Sequence, residues 1–220
     1  MVKSSVARKF DETASATEIK RPGFGGGDRP PPVRPNVPVL NNAHLAVLML
    51  LGAEVMFFAG LIGAFLVFRL SASVWPPPFQ PRLPTGVTGV NTAILLASAV
   101  TMHLSVRNAR AGAIAALVRQ LTMTALLGSV FLVVQGYEWV RLIHFGLTAS
   151  SSVYGGMFYA LIGAHGFHVL CGLIWLLVVR AQARRRRFSK SGYAGVQTAA
   201  MYWTFVVALW PVLYGLVYLY

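Results

Sequence analysis

His165 and His168 stand three residues apart in a long apolar run, so on a helix their imidazoles share one face near mid-membrane. Two imidazoles at that spacing could ligate a metal, as Glu-x-x-His helices do in carboxylate bundles. The chain has no Glu-x-x-His pair, and its other histidines, His44, His103 and His144, fall near the ends of apolar runs. Interhelical hydrogen bonding by His165 and His168 is therefore expected, with no metal held by the chain. The first apolar run carries one charge, Glu54, about nine residues in and roughly 14 Å deep at 1.5 Å per residue. An ionised carboxylate is costly at that depth, so Glu54 is expected to be protonated or paired with a polar group. Proton handling or coupling to a partner is one role for such a group; a structural interhelical hydrogen bond is the other.

Gln135, Glu138 and Arg141 follow at steps of three and form a polar face toward the outer end of another run. A local Glu138–Arg141 ion pair within reach of water is the simplest arrangement there. Arg184, Arg185, Arg186, Arg187 and Lys190 form a basic cluster just beyond an apolar run. Such a cluster sets topology and can hold anionic lipid headgroups. Trp203, Trp210, Tyr214 and Tyr218 are expected to pack or to anchor at the lipid interface. Cys171 is the only cysteine, which excludes a disulfide and a cysteine-based metal site.

The elements that must position these residues follow from composition. Of 220 residues, 56% are apolar and 11% charged, and the mean hydropathy is +0.62. A soluble domain of this size cannot bury so much apolar surface. The chain is expected to be an all-α, polytopic membrane helical bundle. Five apolar runs are long enough to cross the hydrocarbon, at about 45–68, 87–106, 118–143, 153–179 and 196–220. Their length without period-2 alternation favours helices over barrel strands. Pro211 falls inside the fifth and is expected to kink it.

Residues 1–42, broken by Gly25-Gly26-Gly27 and Pro30-Pro31-Pro32, read as a flexible tail, leaving 43–220 as the transmembrane domain. No apolar core of signal-peptide length is expected in 1–38. The net charge of +13 does not call for nucleic acid, because basic residues flank the apolar runs unequally. Tail residues such as Lys3, Arg8 and Lys20, then Arg107, Arg110 and Arg119, then Arg180 and Arg184 to Lys190, fall on one side. Only Arg69, Arg82 and Arg141 fall on the other. The positive-inside rule then puts the N-terminus in the cytoplasm and the C-terminus in the periplasm. The outer loop, Trp75-Pro76-Pro77-Pro78 with Pro81 and Pro84, is expected to be extended. Gly156, Ala160 and Ala164 step by four into His168, as do Met56, Gly60 and Ala64 on the first helix. Helices are expected to approach closely along those rows.

Taken together, the motifs resemble subunit III of the haem-copper respiratory oxidases, of both cytochrome c and quinol types. Leu51-Gly-Ala-Glu54-Val-Met-Phe57-Phe58 resembles the family's segment with a buried Glu before Phe-Phe. Asn91-Thr92-Ala-Ile-Leu-Leu-Ala-Ser98 resembles its Asn-Thr-x-x-Leu-x-x-Ser stretch, and Gln135-Gly-Tyr-Glu138 its Gln-x-x-Glu. Tyr154-Gly155-Gly156-Met-Phe158, then Gly163-Ala-His165-Gly166-Phe-His168-Val169, resemble its strongest signature. Tyr202-Trp203 with Phe205-Val206 and Trp210 resemble the closing motif. The five-helix count fits the family's shorter members, which lack the first two helices.

The resemblance implies a subunit with no haem, copper or other metal of its own, those cofactors belonging to partner subunits. It implies packing on catalytic subunit I in a complex that also holds subunit II. Bound phospholipid, support of proton uptake and sustained turnover in aerobic respiration are implied with it. Glu54, His165 and His168 would form the polar centre of the bundle. The family's His after Tyr-Trp is Thr204 here and its Asp is Val207, so roles attached to that pair do not carry over. The usage of Ala, Gly and Arg suggests a bacterial inner membrane. Two alternatives stand beside this: a subunit III-like paralogue of a nitric oxide reductase system, and a free-standing membrane metal- or proton-dependent enzyme or carrier using Glu54, His165 and His168.

Overall fold

A peptide backbone in lipid has no water to satisfy it, so each apolar run must close its own hydrogen bonds as a helix. A computed structural model describes residues 42–75, 77, 83–185 and 193–220. They belong to the unit Pro38–Tyr220 and form five α-helices. These are α1 (Asn42–Ser71), α2 (Thr85–Arg110), α3 (Ile114–His144), α4 (Val153–Arg184) and α5 (Ala194–Tyr214). Pro211 is accommodated within α5, and the ladder then widens to a π-helical turn over Gly215–Leu219. There the amide of Tyr220 donates to the carbonyl of Gly215, at 2.9 Å. No strand occurs among the described residues. All five helices, the last counted through Leu219, are long and apolar enough to span a membrane. The protein is an all-α, multi-pass membrane bundle. The tail before Asn42 lies outside the described residues, as does most of the proline-rich segment after Trp75.

The helices outrun the apolar stretches at most ends, which corrects the expected loops. Arg107 and Arg110 form the last turn of α2, Arg119 lies in the second turn of α3, and Arg180 and Arg184 remain on α4. An arginine stem can lie along an apolar helix while its head reaches water, so charge does not end these helices. A cation in the last turn also offsets the negative end of the helix dipole. Only Ala111-Gly112-Ala113 joins α2 to α3, with Gly112 at φ +70°, a conformation that glycine adopts without penalty. Gly146, at φ +87°, turns the chain after α3.

Helices α2, α3, α4 and α5 form a ring in which α2 and α4 each pack on both α3 and α5. Helix α1 lies against α5 and α4. It buries only Val47, Phe58 and Phe65, and leaves Met49, Met56 and Leu70 among its exposed apolar residues. Such a surface suits a helix bathed in lipid.

Aromatic wedges set the approach of the ring helices. Trp203 of α5 is fully buried, and its indole N–H donates to Ser98 Oγ on α2 at 3.1 Å. Its ring fills the space over two glycines. A Cβ added to Gly128 of α3 would come within 2.6 Å of Trp203 Cη2, and one on Gly172 of α4 within 3.0 Å of Cε3. Trp210 repeats the pattern two turns later, donating to Thr92 Oγ1 at 2.8 Å. The expected small-residue rows are used differently. Nothing lies within 4 Å of a Cβ placed on Gly60, and Gly156 faces only the Ala149 carbonyl of the preceding loop. Helix α1 packs through phenylalanines instead, and the row on α4 reaches a close approach one step further on, at Gly172.

Candidate functional site

The polar centre of the span lies between α1 and α4. Glu54 Oε2 sits 2.8 Å from His168 Nε2, with both side chains largely removed from the surface. Three aromatic rings surround the imidazole: Phe58 edge-on at 5.1 Å, Phe167 at 5.9 Å and Phe57 at 6.0 Å. Tyr202 Oη donates to the backbone carbonyl of His168 at 3.3 Å, tying the same turn of α4 to α5.

The other ring nitrogen decides the protonation logic. His168 Nδ1 lies 2.6 Å from the carbonyl oxygen of Ala164, and a carbonyl only accepts, so Nδ1 carries a hydrogen. The Glu54–His168 contact then contains one proton, whichever side holds it. Either a protonated Glu54 donates to a neutral imidazole, or an imidazolium donates to a carboxylate. Both forms carry zero net charge, so the proton can shift across 2.8 Å without adding net charge within the membrane. Chemically the pair can store one proton, and it also hydrogen-bonds two helices.

His165 does not join them. It is fully buried, stacks on the indole of Trp210 at 4.8 Å, and meets Phe131 edge-on at 6.2 Å. Neither of its ring nitrogens has a hydrogen-bond partner. Two residues three apart differ by about 60° around a helix, and here the helices packed on α4 turn that difference into two separate environments. Among the described residues, no three of His, Cys, Asp and Glu come together in a way that could hold a metal ion.

The face carrying Gln135, Glu138 and Arg141 is buried rather than water-facing at its first two residues. Gln135 donates to Tyr218 Oη at 3.1 Å, joining α3 to the π-helical turn. Glu138 accepts from Arg141 Nη1 at 3.1 Å, and the arginine, about half exposed, covers it. Arg184 and Arg185 are exposed at the end of α4, while Arg186, Arg187 and Lys190 lie outside the described residues. His144 is exposed at the end of α3, and His103 is exposed two turns before the end of α2. Thr204 is exposed beside a groove near the start of α5, and Val207 is buried in the core.

The partners of Thr92 and Ser98 were not expected from sequence. The signal was present in the low hydropathy of the second span. Its polar residues receive the indole hydrogens of Trp210 and Trp203, and Asn91 donates to the Phe131 carbonyl at 3.1 Å.

The family model described as cytochrome c oxidase subunit III matches residues 34–220. Cytochrome c oxidase subunit 3 of Synechocystis is 38% identical over 174 residues, covering 79% of this chain and 73% of the relative. The probable cytochrome c oxidase subunit 3 of Nocardia farcinica is 35% identical over 180 residues, covering 81% and 88%. That of Mycobacterium leprae is 34% identical over 179 residues, with the same coverage. The chain belongs to the cytochrome c oxidase subunit III family.

Proposed function

We propose that this subunit III family member is the non-redox subunit of a proton-pumping haem-copper terminal oxidase in aerobic respiration. It packs on catalytic subunit I, in a complex that also contains subunit II. Haem and copper reside in those partners. This chain contributes helix surface, bound phospholipid and support for proton uptake during sustained turnover. Its home is the bacterial inner membrane, with the N-terminus cytoplasmic and the C-terminus periplasmic. Arg184 to Arg187 and Lys190 lie on the cytoplasmic side in this topology and attract anionic headgroups.

The observation that carries the reading is the Glu54–His168 pair in a chain of this family. An intramembrane acid is expensive unless paired, and a pair holding one proton at zero net charge suits a subunit that helps supply protons to a neighbour. A free-standing metal- or proton-dependent enzyme would need His165 at the same centre, whereas His165 stacks on Trp210.

The test is a mild-detergent pull-down of the tagged chain from its native membrane, read by optical spectrum and subunit mass spectrometry. Haem bands and a large polytopic companion are expected. A colourless chain that comes down alone would overturn the assignment.

A further inference from the structure

We propose that a groove between α1 and α2, floored by α5, binds the phosphate of an anionic membrane phospholipid through Arg110, His103 and Gln197. Its volume is about 510 Å³, and it opens where α1 and α5 begin and α2 ends. His44 is the third residue of α1, Arg110 the last of α2, and Gln197 the fourth of α5. These three are therefore at the depth of a headgroup and His103 lies two turns further in along α2, while Leu51 and Met201 form an apolar wall toward the membrane interior.

The chemistry of the rim is that of a donor set. His44 Nε2 lies 3.1 Å from Gln197 Oε1, which only accepts, so the imidazole donates and the glutamine NH₂ remains to donate elsewhere. Arg110 has donors only. No carboxylate lines the groove. Among the described residues the only acids are Glu54 and Glu138, and each is engaged, one by His168 and the other by Arg141. Arg110 thus has no acid of the described bundle to neutralise it, and a phosphate oxygen is the complementary acceptor. The N-terminal ends of α1 and α5 add positive potential at the same rim, two positive ends against the one negative end of α2. The apolar wall favours a phosphate that carries acyl chains over a free one.

This site is separate from the basic cluster after α4, and the inference requires only the spanning bundle, not the oxidase assignment. The chain, with whatever subunits accompany it, is stripped of excess lipid in mild detergent and titrated with phosphatidylglycerol or phosphatidylcholine. Bound lipid is then counted by native mass spectrometry. Loss of a charge-assisted contact should weaken phosphatidylglycerol binding roughly tenfold in Arg110→Gln, and further with His103→Gln added. Arg107→Gln removes the same charge from the same turn outside the groove, and should leave binding unchanged. Equal loss in both arginine variants would mean general electrostatic attraction and would overturn the site. So would unchanged binding in Arg110→Gln. Displacement of the lipid by equimolar inorganic phosphate would make it a free-anion site. Four acids, Asp11, Glu12, Glu18 and Asp28, lie before the bundle. If binding appears only after residues 1–37 are removed, a carboxylate of that net-basic segment is the occupant and the lipid proposal fails.

Discussion

The imidazole of His165 lies stacked on the indole of Trp210, with 4.8 Å between ring centroids and 28° between planes. One turn away, His168 is hydrogen-bonded at both nitrogens. The two histidines thus divide the work that their spacing suggested they would share. His168 joins the acid of α1, and His165 serves as a flat ring in the core between Phe131 and Trp210.

Their substitutions should therefore differ in sign. A buried polar group without partners gains nothing from its nitrogens, so an apolar replacement of similar volume is close to neutral. His165→Leu should leave the unfolding midpoint unchanged or slightly raised. His168→Leu should lower it, because Glu54 is left unpaired at a cost of about 1–3 kcal/mol. Thermal unfolding in a fixed detergent measures both. A large loss in His165→Leu would show that ring packing against Trp210 and Phe131 carries stability that an aliphatic side chain cannot replace.

Glu54 offers a sharper separation of structure from proton storage. Glu54→Gln keeps a donor opposite His168 Nε2, so assembly and melting should stay close to those of the parent. The amide cannot exchange its proton with the imidazole, so a role in proton supply would appear as faster loss of activity during turnover. Glu54→Ala removes both and should also loosen retention of the subunit. Parent-like turnover lifetime in Glu54→Gln would restrict the pair to a structural role.

Much of this was legible in the sequence because the bilayer sets helix length. Five runs gave five helices, and an acid nine residues into the first had to find a partner. The partner's identity was not legible. His165 and His168 differ by a modest rotation, and which of them meets α1 depends on how α5 and α1 pack on α4. Helix ends were misjudged at Arg107, Arg110 and Arg180, since hydropathy falls there while helical hydrogen bonding continues. Arg180 even turns inward, donating from Nε to Thr122 Oγ1 of α3 at 2.7 Å. The glycines that matter most were hidden for another reason: Gly128 makes room for a tryptophan far along the chain.

That relation predicts an order among glycine substitutions. Gly128→Ala places a methyl 2.6 Å from the buried edge of Trp203 and should cost about 1–3 kcal/mol. Gly172→Ala, at 3.0 Å, should cost less. Gly60→Ala meets open space and should be neutral or slightly stabilising through helix propensity. Unfolding midpoints of the three variants in one detergent check the ranking, and an equal effect at Gly60 would contradict it.

The indole bonds across α2 and α5 can be weighed by a double-mutant cycle. Thr92→Val leaves the Trp210 N–H buried without its acceptor, whereas Trp210→Phe removes the donor but also part of the ring. Interhelical hydrogen bonds in membranes contribute modestly, so a coupling of about 0.5–1.5 kcal/mol is expected. Additive effects would mean that Thr92 is present for helix geometry alone, its hydroxyl already bonded to the Thr88 carbonyl at 2.7 Å.

Glu138 and Arg141 give the last case, in which removing both partners should be milder than removing one. The carboxylate is buried and the guanidinium about half exposed, so Arg141→Ala strands the buried member. A cost of about 1–3 kcal/mol is expected, reduced from that of a fully buried pair by the solvent around the arginine. Glu138→Gln combined with Arg141→Ala replaces the stranded charge with a neutral amide and should recover most of that loss. Arg141→Lys should recover only part, because Arg141 also lies over the Tyr137 ring at 5.9 Å, where a planar guanidinium packs better than an ammonium. Equal melting of the single Arg141→Ala and the double variant would mean that the pair contributes through side-chain packing and not through charge.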